Sequence, residues 1–349
     1  MTLLHYNTKK LSSMLQSNGI REHHAKPILQ NFWAGQADPI QSTGLPKSLA
    51  NLGWDFTNPV QLTDPQQSKF DGSVKFLTKL QDGLEVETVL MPEHNRITLC
   101  ISSQVGCQQA CRFCNTGRMG LLRQLRTEEM VGQVAAANAW IRCNPGWLQG
   151  FPYQSGERVS NVVFMGMGEP FDNVEYLNEA VSVLLDPNAA AIAPRKLTVS
   201  TAGHLDGIKL FDQVHPKVPI ALSLHAATAR AKLLPIEKRF PVSRVLDYLS
   251  DRALKNKSFV MIQYTLIQKV NDHPEDAQAL VELLQNRPAK VNLIPFNEFS
   301  ASRFNSPEAD RVQRFRDILQ RNQIRSMIRY SKAQDVAGAC GQLVVNTKS

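Results

Sequence analysis

The 349-residue chain predicts an α/β protein built on a parallel sheet, and two observations carry that expectation. Beyond residue 97, short apolar runs alternate with stretches of helical period, the pattern of repeated strand–helix units. Hydrophobic residues make up 43% of the chain and charged residues 20%, enough to bury one large core with a smaller module beside it. Such units fit a doubly wound sheet, or a sheet curled into a full or partial barrel. In a barrel, function collects at the carboxyl ends of the strands.

Taken in order, the elements begin with helices. Leu11, Met14 and Leu15 share a helical face before Asn18-Gly19; Ile28, Leu29, Phe32 and Trp33 do the same before Gly35; a third stretch, 45–52, stops at Gly53. Residues 1–60 therefore read as a small helical accessory domain. Residues 61–96 read as an extended segment leading into the core. Within it, 70–91 carries Gln81-Asp82-Gly83 as a hairpin turn, and Val86, Thr88 and Leu90 alternate with Glu87 and Val89. In the core, 97–349, strands are predicted at 97–102, 161–165, 196–201, 219–223, 259–266, 290–295 and 324–330. Helices are predicted between them at 127–143, 174–185, 243–254, 274–285 and 307–321, the first capped around Thr127 with Glu128 and Glu129 close behind.

The first residues lack an apolar run of signal-peptide length, and no apolar stretch reaches the roughly 18 residues of a membrane span. The expectation is a cytoplasmic protein without a membrane partner. In that reducing compartment the six cysteines point to metal binding or thiol chemistry rather than a disulfide framework. A net charge of +8 suits a polyanionic partner such as RNA.

Chemistry concentrates in the loop after the first core strand, where Cys107, Cys111 and Cys114 stand close together in sequence. Three thiolates at that spacing can ligate three irons of a 4Fe-4S cube, leaving the fourth iron open to a ligand. A structural zinc site fits less well, because neither a second cysteine pair nor a histidine pair follows at zinc-finger distance. The next strand runs into Gly166-Met167-Gly168-Glu169-Pro170, where glycines permit close backbone approach and a carboxylate can accept hydrogen bonds from an ammonium group.

With these residues in place the chain resembles the radical-SAM RNA adenosine methyltransferases of the RlmN/Cfr family. The matching stretches are Val86-Glu87-Thr88, Thr98 to Cys107, Cys111-Arg112-Phe113-Cys114, Gly166 to Pro170, Leu197 to Gly203, Ser223-Leu224-His225, Asn292 to Asn297 and Ala339 to Leu343, in the expected order. The resemblance implies a partial (β/α)6-type TIM barrel. It implies a 4Fe-4S cluster on Cys107, Cys111 and Cys114, and S-adenosylmethionine (SAM) chelated at the open iron. Gly168 and Glu169 would hold the amino end, and Ser200, Ser223, Leu224, His225 and Asn297 the remainder. Phe113 would pack on the adenine or fill the loop core.

The resemblance also implies how an electron-poor adenine carbon is methylated. Cys340 takes a methyl group from one SAM by displacement, a second SAM cleaved at the cluster removes hydrogen from that S-methyl group, and the methylene radical adds to the base. Glu87 then accepts a proton and Cys100 attacks, leaving a Cys100–Cys340 disulfide for a thiol reductant to reopen. The implied substrate is adenosine C2 in 23S rRNA, with tRNA as a second substrate, and a flavodoxin-like protein supplies electrons. Rival readings are C8 methylation of the same rRNA, a radical-SAM enzyme with a non-RNA substrate, and a non-catalytic iron–sulfur RNA-binding module.

RNA phosphates would meet Arg118, Arg123 and Arg126 after the cysteine loop, Arg325, Arg329 and Lys332 before Cys340, and a second surface at Arg21, His23, His24 and Lys26. Ala337-Gly338-Ala339 ahead of Cys340, Asn115 after the cluster motif and the short stretch after Cys340 depart from the family's usual pattern. They leave the core chemistry in place and open the choice of RNA substrate. Cys143 matches nothing in the pattern and reads as structural.

Overall fold

The computed structural model describes residues 2–41, 46–153, 156–300 and 302–345. The chain opens with α1 (Thr8–Ser17) and α2 (Ala25–Trp33), whose apolar faces meet in a cluster of their own built on Leu11, Leu15, Ile28 and Leu29. The third predicted helix is a 3-10 turn, Lys47–Leu52, ending at Gly53 with φ 63; its predicted first residue, Leu45, lies outside the described residues. Asp186 ties this module to the rest, accepting from the Thr8 N–H at 2.7 Å and the Thr8 hydroxyl at 2.8 Å.

An antiparallel arm follows: β1 (Val60–Gln67), β2 (Val74–Leu80), β3 (Glu85–Glu93) and β4 (Arg96–Ile101). The predicted turn joins β2 to β3, with Gly83 at φ +83. After β4 come β5 (Gln104–Cys107), α3 (Asn115–Met119), β6 (Gly120–Gln124) and α4 (Thr127–Cys143). Then the alternation runs β7 (Asn161–Phe164), α5 (Val174–Leu185), β8 (Leu197–Thr201), α6 (Leu205–Val214), β9 (Ile220–Ser223) and α7 (Val242–Lys255). It closes with β10 (Val260–Leu266), α8 (Pro274–Leu284), β11 (Ala289–Pro295), α9 (Ala309–Arg321) and β12 (Arg325–Ile328).

The main sheet orders β1-β2-β3-β4-β7-β8-β9-β10-β11-β12, parallel at every pairing from β4 onward. Helices follow successive parallel strands, and the sheet ends at β1 and β12 without joining them: a partial barrel. One face of its strands is apolar, where Val162, Phe164, Val199, Leu222, Ile262 and Leu293 are all buried, while the opposite face carries Ser200, Ser223, Gln263, Thr265 and Asn292. On the outer side of β3 and β4, Gln133 of α4 accepts from the Ser102 N–H at 2.9 Å and the Thr88 hydroxyl at 2.9 Å, pinning that helix to the strand that leads into the cysteine loop.

Among the described residues no helix is long and apolar enough to cross a membrane. Several elements escaped the sequence. Helix α6 carries Gly207 in its first turn and is capped by an unusual residue, the His204 Nδ1 accepting from the Gly207 N–H at 3.0 Å. The small β5–β6 sheet has a register irregularity between Val105 and Gly106 that breaks simple alternation. The predicted cap of α4 shifts by one residue: the Glu129 carboxylate accepts from the Arg126 N–H at 2.8 Å.

Candidate active site

The sequence places its chemical residues just past strand ends, and the parallel sheet brings those ends to one rim. Strand β4 ends at Ile101, and β5 then delivers Cys107. Gly106 enters that thiol's loop at φ +79, and a side chain there would put a Cβ 1.9 Å from the Gly120 carbonyl oxygen, so only glycine lets β5 and β6 approach. Cys111 and Cys114 follow, the Cys114 N–H donating to the Cys111 carbonyl at 3.1 Å just before α3 begins.

Strand β7 feeds the glycine loop. Its Met167 N–H donates to the Ser102 hydroxyl at 2.9 Å, and the Glu169 N–H to the Gln104 side chain at 2.7 Å. Gly168 sits at φ +106, where a Cβ would come within 2.7 Å of the Gln104 side chain. The loop thus lies flat on the residues leading into the cysteines. Glu169 is buried; one carboxylate oxygen accepts from the Ala202 N–H at 2.7 Å and the other from Phe171 N–H at 3.3 Å. Burial pushes this carboxyl up to about 7, opposed by the Ala202 hydrogen bond and reinforced by Asp172. An incoming ammonium group would draw it back down and be held by it.

From β8 and β9, Ser200 and Ser223 face each other with their hydroxyls 3.3 Å apart. His225 occupies a left-handed backbone position, φ 56. Its Nδ1 accepts from the Thr265 N–H at 2.9 Å, and its ring meets Phe113 edge-on, centroids 4.6 Å apart. Burial, with Arg230 adding to it, lowers the imidazole to about 3, so the ring is neutral with its proton on Nε2.

One cavity joins these parts: Cys107, Cys111, Cys114, Gly168, Glu169, Ser200, Ser223 and His225 all line it, and so does Cys340. Two expected cofactor contacts stand apart from it. Leu224 is fully buried and uses its backbone N–H on the Gln263 carbonyl, at 2.9 Å. Asn297 donates to the Cys340 carbonyl at 3.0 Å and the Ser331 hydroxyl at 2.9 Å, so in this structure it holds the Cys340 loop.

Further anchors of that loop come from the cluster side. The Asn115 N–H donates to the Gly341 carbonyl at 2.7 Å, its side chain to the Gln342 carbonyl at 3.2 Å, and the Thr116 hydroxyl to the Leu343 carbonyl at 2.7 Å. Asn115, a departure from the family pattern, therefore grips the segment carrying Cys340. Cys340 is exposed and unpaired; surrounding protein pushes its thiol up while Arg329 pulls it down. Cys100 is buried on β4, its thiol pushed up by burial and then by the charge of Cys340.

Glu87 of β3 faces the same loop. It is buried, accepts from the Val344 N–H at 2.8 Å, and pairs with Lys75 of β2 at 2.9 Å. Burial raises its carboxyl and Lys75 opposes the rise. Sequence reasoning missed Lys75, although counting outward from the Gly83 turn pairs Leu77 with Glu87 and so puts Lys75 on the same sheet face.

Arg230 was also missed, and no local signal marks it. Its buried guanidinium donates to the carbonyls of Ala202 at 2.5 Å, Ser223 at 2.8 Å and Leu224 at 2.9 Å, and pairs with Glu237 at 2.7 Å. It fixes the ends of β8 and β9 together under the cavity. Arg230→Met leaves those carbonyls and Glu237 without a donor, and should destabilise the protein by about 3–5 kcal/mol in denaturant unfolding. A change under about 1 kcal/mol would show that water replaces the guanidinium there.

Among the basic candidates, Arg123 is spent on Asp82 at 2.6 Å and Glu129 at 2.8 Å, and Lys332 on the Pro92 carbonyl. Arg126, Arg325 and Arg329 are exposed, as are Arg21, His23 and Lys26 on the helical module, whereas His24 is buried. Cys143 ends α4, exposed and free.

The three thiols of the cysteine loop fit an iron–sulfur cluster. All three line the shared cavity, where a cluster held on them would also face Glu169 and Cys340. Burial pushes all three up, so they are protonated thiols by themselves, and binding to iron is what converts such groups to thiolates.

A partial parallel barrel with three cysteines beside a glycine–glutamate loop at its carboxyl rim defines a radical SAM enzyme. A crystal structure of a radical SAM methyltransferase from Sphaerobacter thermophilus superposes with a TM-score of 0.87 at 34% identity, covering 98% of this chain and 99% of that one. A probable dual-specificity RNA methyltransferase RlmN 2 of Protochlamydia amoebophila is 36% identical over 98% of this chain and 94% of its own length. The dual-specificity RNA methyltransferase RlmN of Campylobacter fetus is 40% identical over 84% of each. No family model matches. The chain belongs to the RlmN family of dual-specificity RNA methyltransferases, and with it to the SAM-dependent RNA methyltransferases.

Proposed function

We propose that this protein methylates C2 of an adenosine in 23S rRNA, and in tRNA, through a methyl group carried on Cys340. The observation that carries the reading is that Cys340 opens into the same cavity as Cys107, Cys111, Cys114 and Glu169, although more than half the chain separates it from the three cysteines. When bound on those three cysteines, a 4Fe-4S cluster and SAM supply a carbon-centred radical on one-electron reduction of the sulfonium.

The chain's own residues do the rest. Gly168 and Glu169 hold the methionyl amino end; Ser200, Ser223 and the neutral His225 offer hydrogen bonds along the remainder, while Leu224, its N–H committed to the Gln263 carbonyl, backs them from the core and Asn297 keeps the Cys340 loop against the rim. Cys340 takes the methyl group as a thiolate nucleophile, and Arg329 favours that ionised form. Once the base is joined to that sulfur, the adduct radical has one electron to give up, for which a cluster bound on the three cysteines would be the acceptor, and Glu87 accepts the proton from the base carbon. Cys100 then attacks the Cys340 sulfur, the carbon–sulfur bond breaks, the methylene carbon takes the proton of the Cys100 thiol, and methylated RNA leaves a disulfide behind. A flavodoxin-like donor and a thiol reductant restore the starting state. The helical module 1–60 presents Arg21, His23 and Lys26 to RNA phosphates.

Two measurements test this. A tryptic peptide containing Cys340, from protein purified out of cells, should carry the added mass of one methyl group; an unmodified thiol in every preparation would remove Cys340 from the route. In Cys100→Ala the covalent protein–RNA adduct should persist through denaturing electrophoresis, because the sulfur that releases it is missing. Free product at the wild-type rate would sink the role of Cys100. Mass spectrometry of digested RNA from a deletion strain separates C2 from C8.

A further inference from the structure

The pairing of β2, β3 and β4 sets Lys75, Val89 and Cys100 in one row across the sheet, since Lys75 is opposite Val89 and Val89 opposite Cys100. Glu87, two residues from Val89 along β3, faces the same way. The loop bearing Cys340 lies over this face: Gly338 packs toward the Val89 side chain, and the Val344 N–H reaches Glu87. Each Glu87 oxygen is thus assigned, Oε1 to Lys75 at 2.9 Å and Oε2 to the Val344 N–H at 2.8 Å. The ion pair is nearly shut from water, with 12% of the Lys75 side chain exposed and 7% of that of Glu87.

We propose that Lys75 is a positioning residue for the reaction: its ammonium group holds the Glu87 carboxylate ionised and aimed at the Cys340 loop, so that a base and not an acid meets the adduct. The proposal rests on the reading of Glu87 as proton acceptor. In that step a C–H bond of the joined base breaks and an O–H bond forms on Glu87. The electron pair stays on the base, nothing is oxidised or reduced, and Lys75 keeps its proton.

Burial disfavours the ionised form of a carboxyl group and pushes that of Glu87 up. The groups around Glu87 are few: Lys75 from β2, Cys100 of β4 on the same sheet face, the Val344 N–H from the C-terminal loop, and the Met167 thioether, which accepts from the Glu87 N–H, from the loop after β7. Lys75 is the charged one whose field reaches it, lowering the carboxyl against burial. The sign follows. Without Lys75, only the Val344 hydrogen bond opposes burial, Glu87 titrates at higher pH, and less of it is a base near pH 7 and more as pH rises.

The test uses Lys75→Met, Lys75→Arg and Glu87→Gln. Cluster-free protein is titrated by infrared spectroscopy, with the Glu87 carboxyl band identified as the one absent from Glu87→Gln. In Lys75→Met the midpoint should move up by at least about one pH unit, and Lys75→Arg should keep it near wild type. In the loaded enzyme with an rRNA fragment, adduct breakdown by Lys75→Met should slow about tenfold or more near pH 7 and recover at higher pH. A uniform slowing at every pH, or an unmoved infrared midpoint, overturns the proposal. If Lys75→Met does not fold, Lys75→Gln takes its place with the same expectations. Wild-type enzyme that never forms an adduct, while the infrared shift appears, overturns the reaction step itself. That result distinguishes failure of the mechanism from failure of the ion pair.

Discussion

Cys340→Ala should abolish RNA methylation, by on the order of 10⁴-fold or more, while leaving the fold intact. An adenine ring carbon offers no lone pair to a sulfonium methyl group, so without a carrier sulfur the methyl has no path to it. The position tolerates the change: the side chain is exposed, and the loop is held by backbone carbonyls of Cys340, Gly341, Gln342 and Leu343 that alanine preserves. Transfer of labelled methyl from SAM into an rRNA fragment measures it. Product at even a tenth of the wild-type rate would mean that the methyl travels by another sulfur or none.

Cys111→Ala should be as complete in effect but different in kind. Removing one of three thiols from a cube's ligand set leaves two, and two leave half the irons without protein. Anaerobically reconstituted Cys111→Ala should hold little iron and sulfide and release no 5′-deoxyadenosine under reduction. In Cys340→Ala, by contrast, iron content should match wild type. Full iron in Cys111→Ala would remove that residue from the ligand set and return the cysteine loop to an open question.

How much of this was written in the sequence differs from part to part. The core strands and helices were legible because the buried parallel strands read as short apolar runs, and the helices between them keep their period; 127–143 and 174–185 match α4 and α5 to the residue. Helix α6 was not legible, because a histidine cap and an early glycine hide its start. Among site residues, the cysteine loop and the glycine–glutamate loop announced themselves by spacing. Arg230 and Lys75 did not, since each works through carbonyls or a carboxylate that become neighbours only after strands pair.

The expectation for Asn297 shows the same boundary. Its motif is plain in the sequence, yet its side chain is committed to the carbonyl of Cys340 and lies outside the cavity lined by Glu169 and His225. Arg123 looked like a phosphate contact beside the cysteine loop, and folding brings Asp82 and Glu129 to it instead.

By itself the sequence determined the kinds of element, their order, and the local sets of ligands a few residues apart, because periodicity and spacing act along the chain. Only the tertiary structure decided that Cys340, Cys100 and Glu87 share a face with the cysteine loop, that Lys75 sits against Glu87, and which basic groups stay exposed. Those are contacts between segments distant in sequence, and they exist only once sheet register and loop hydrogen bonds have fixed where each strand end lies.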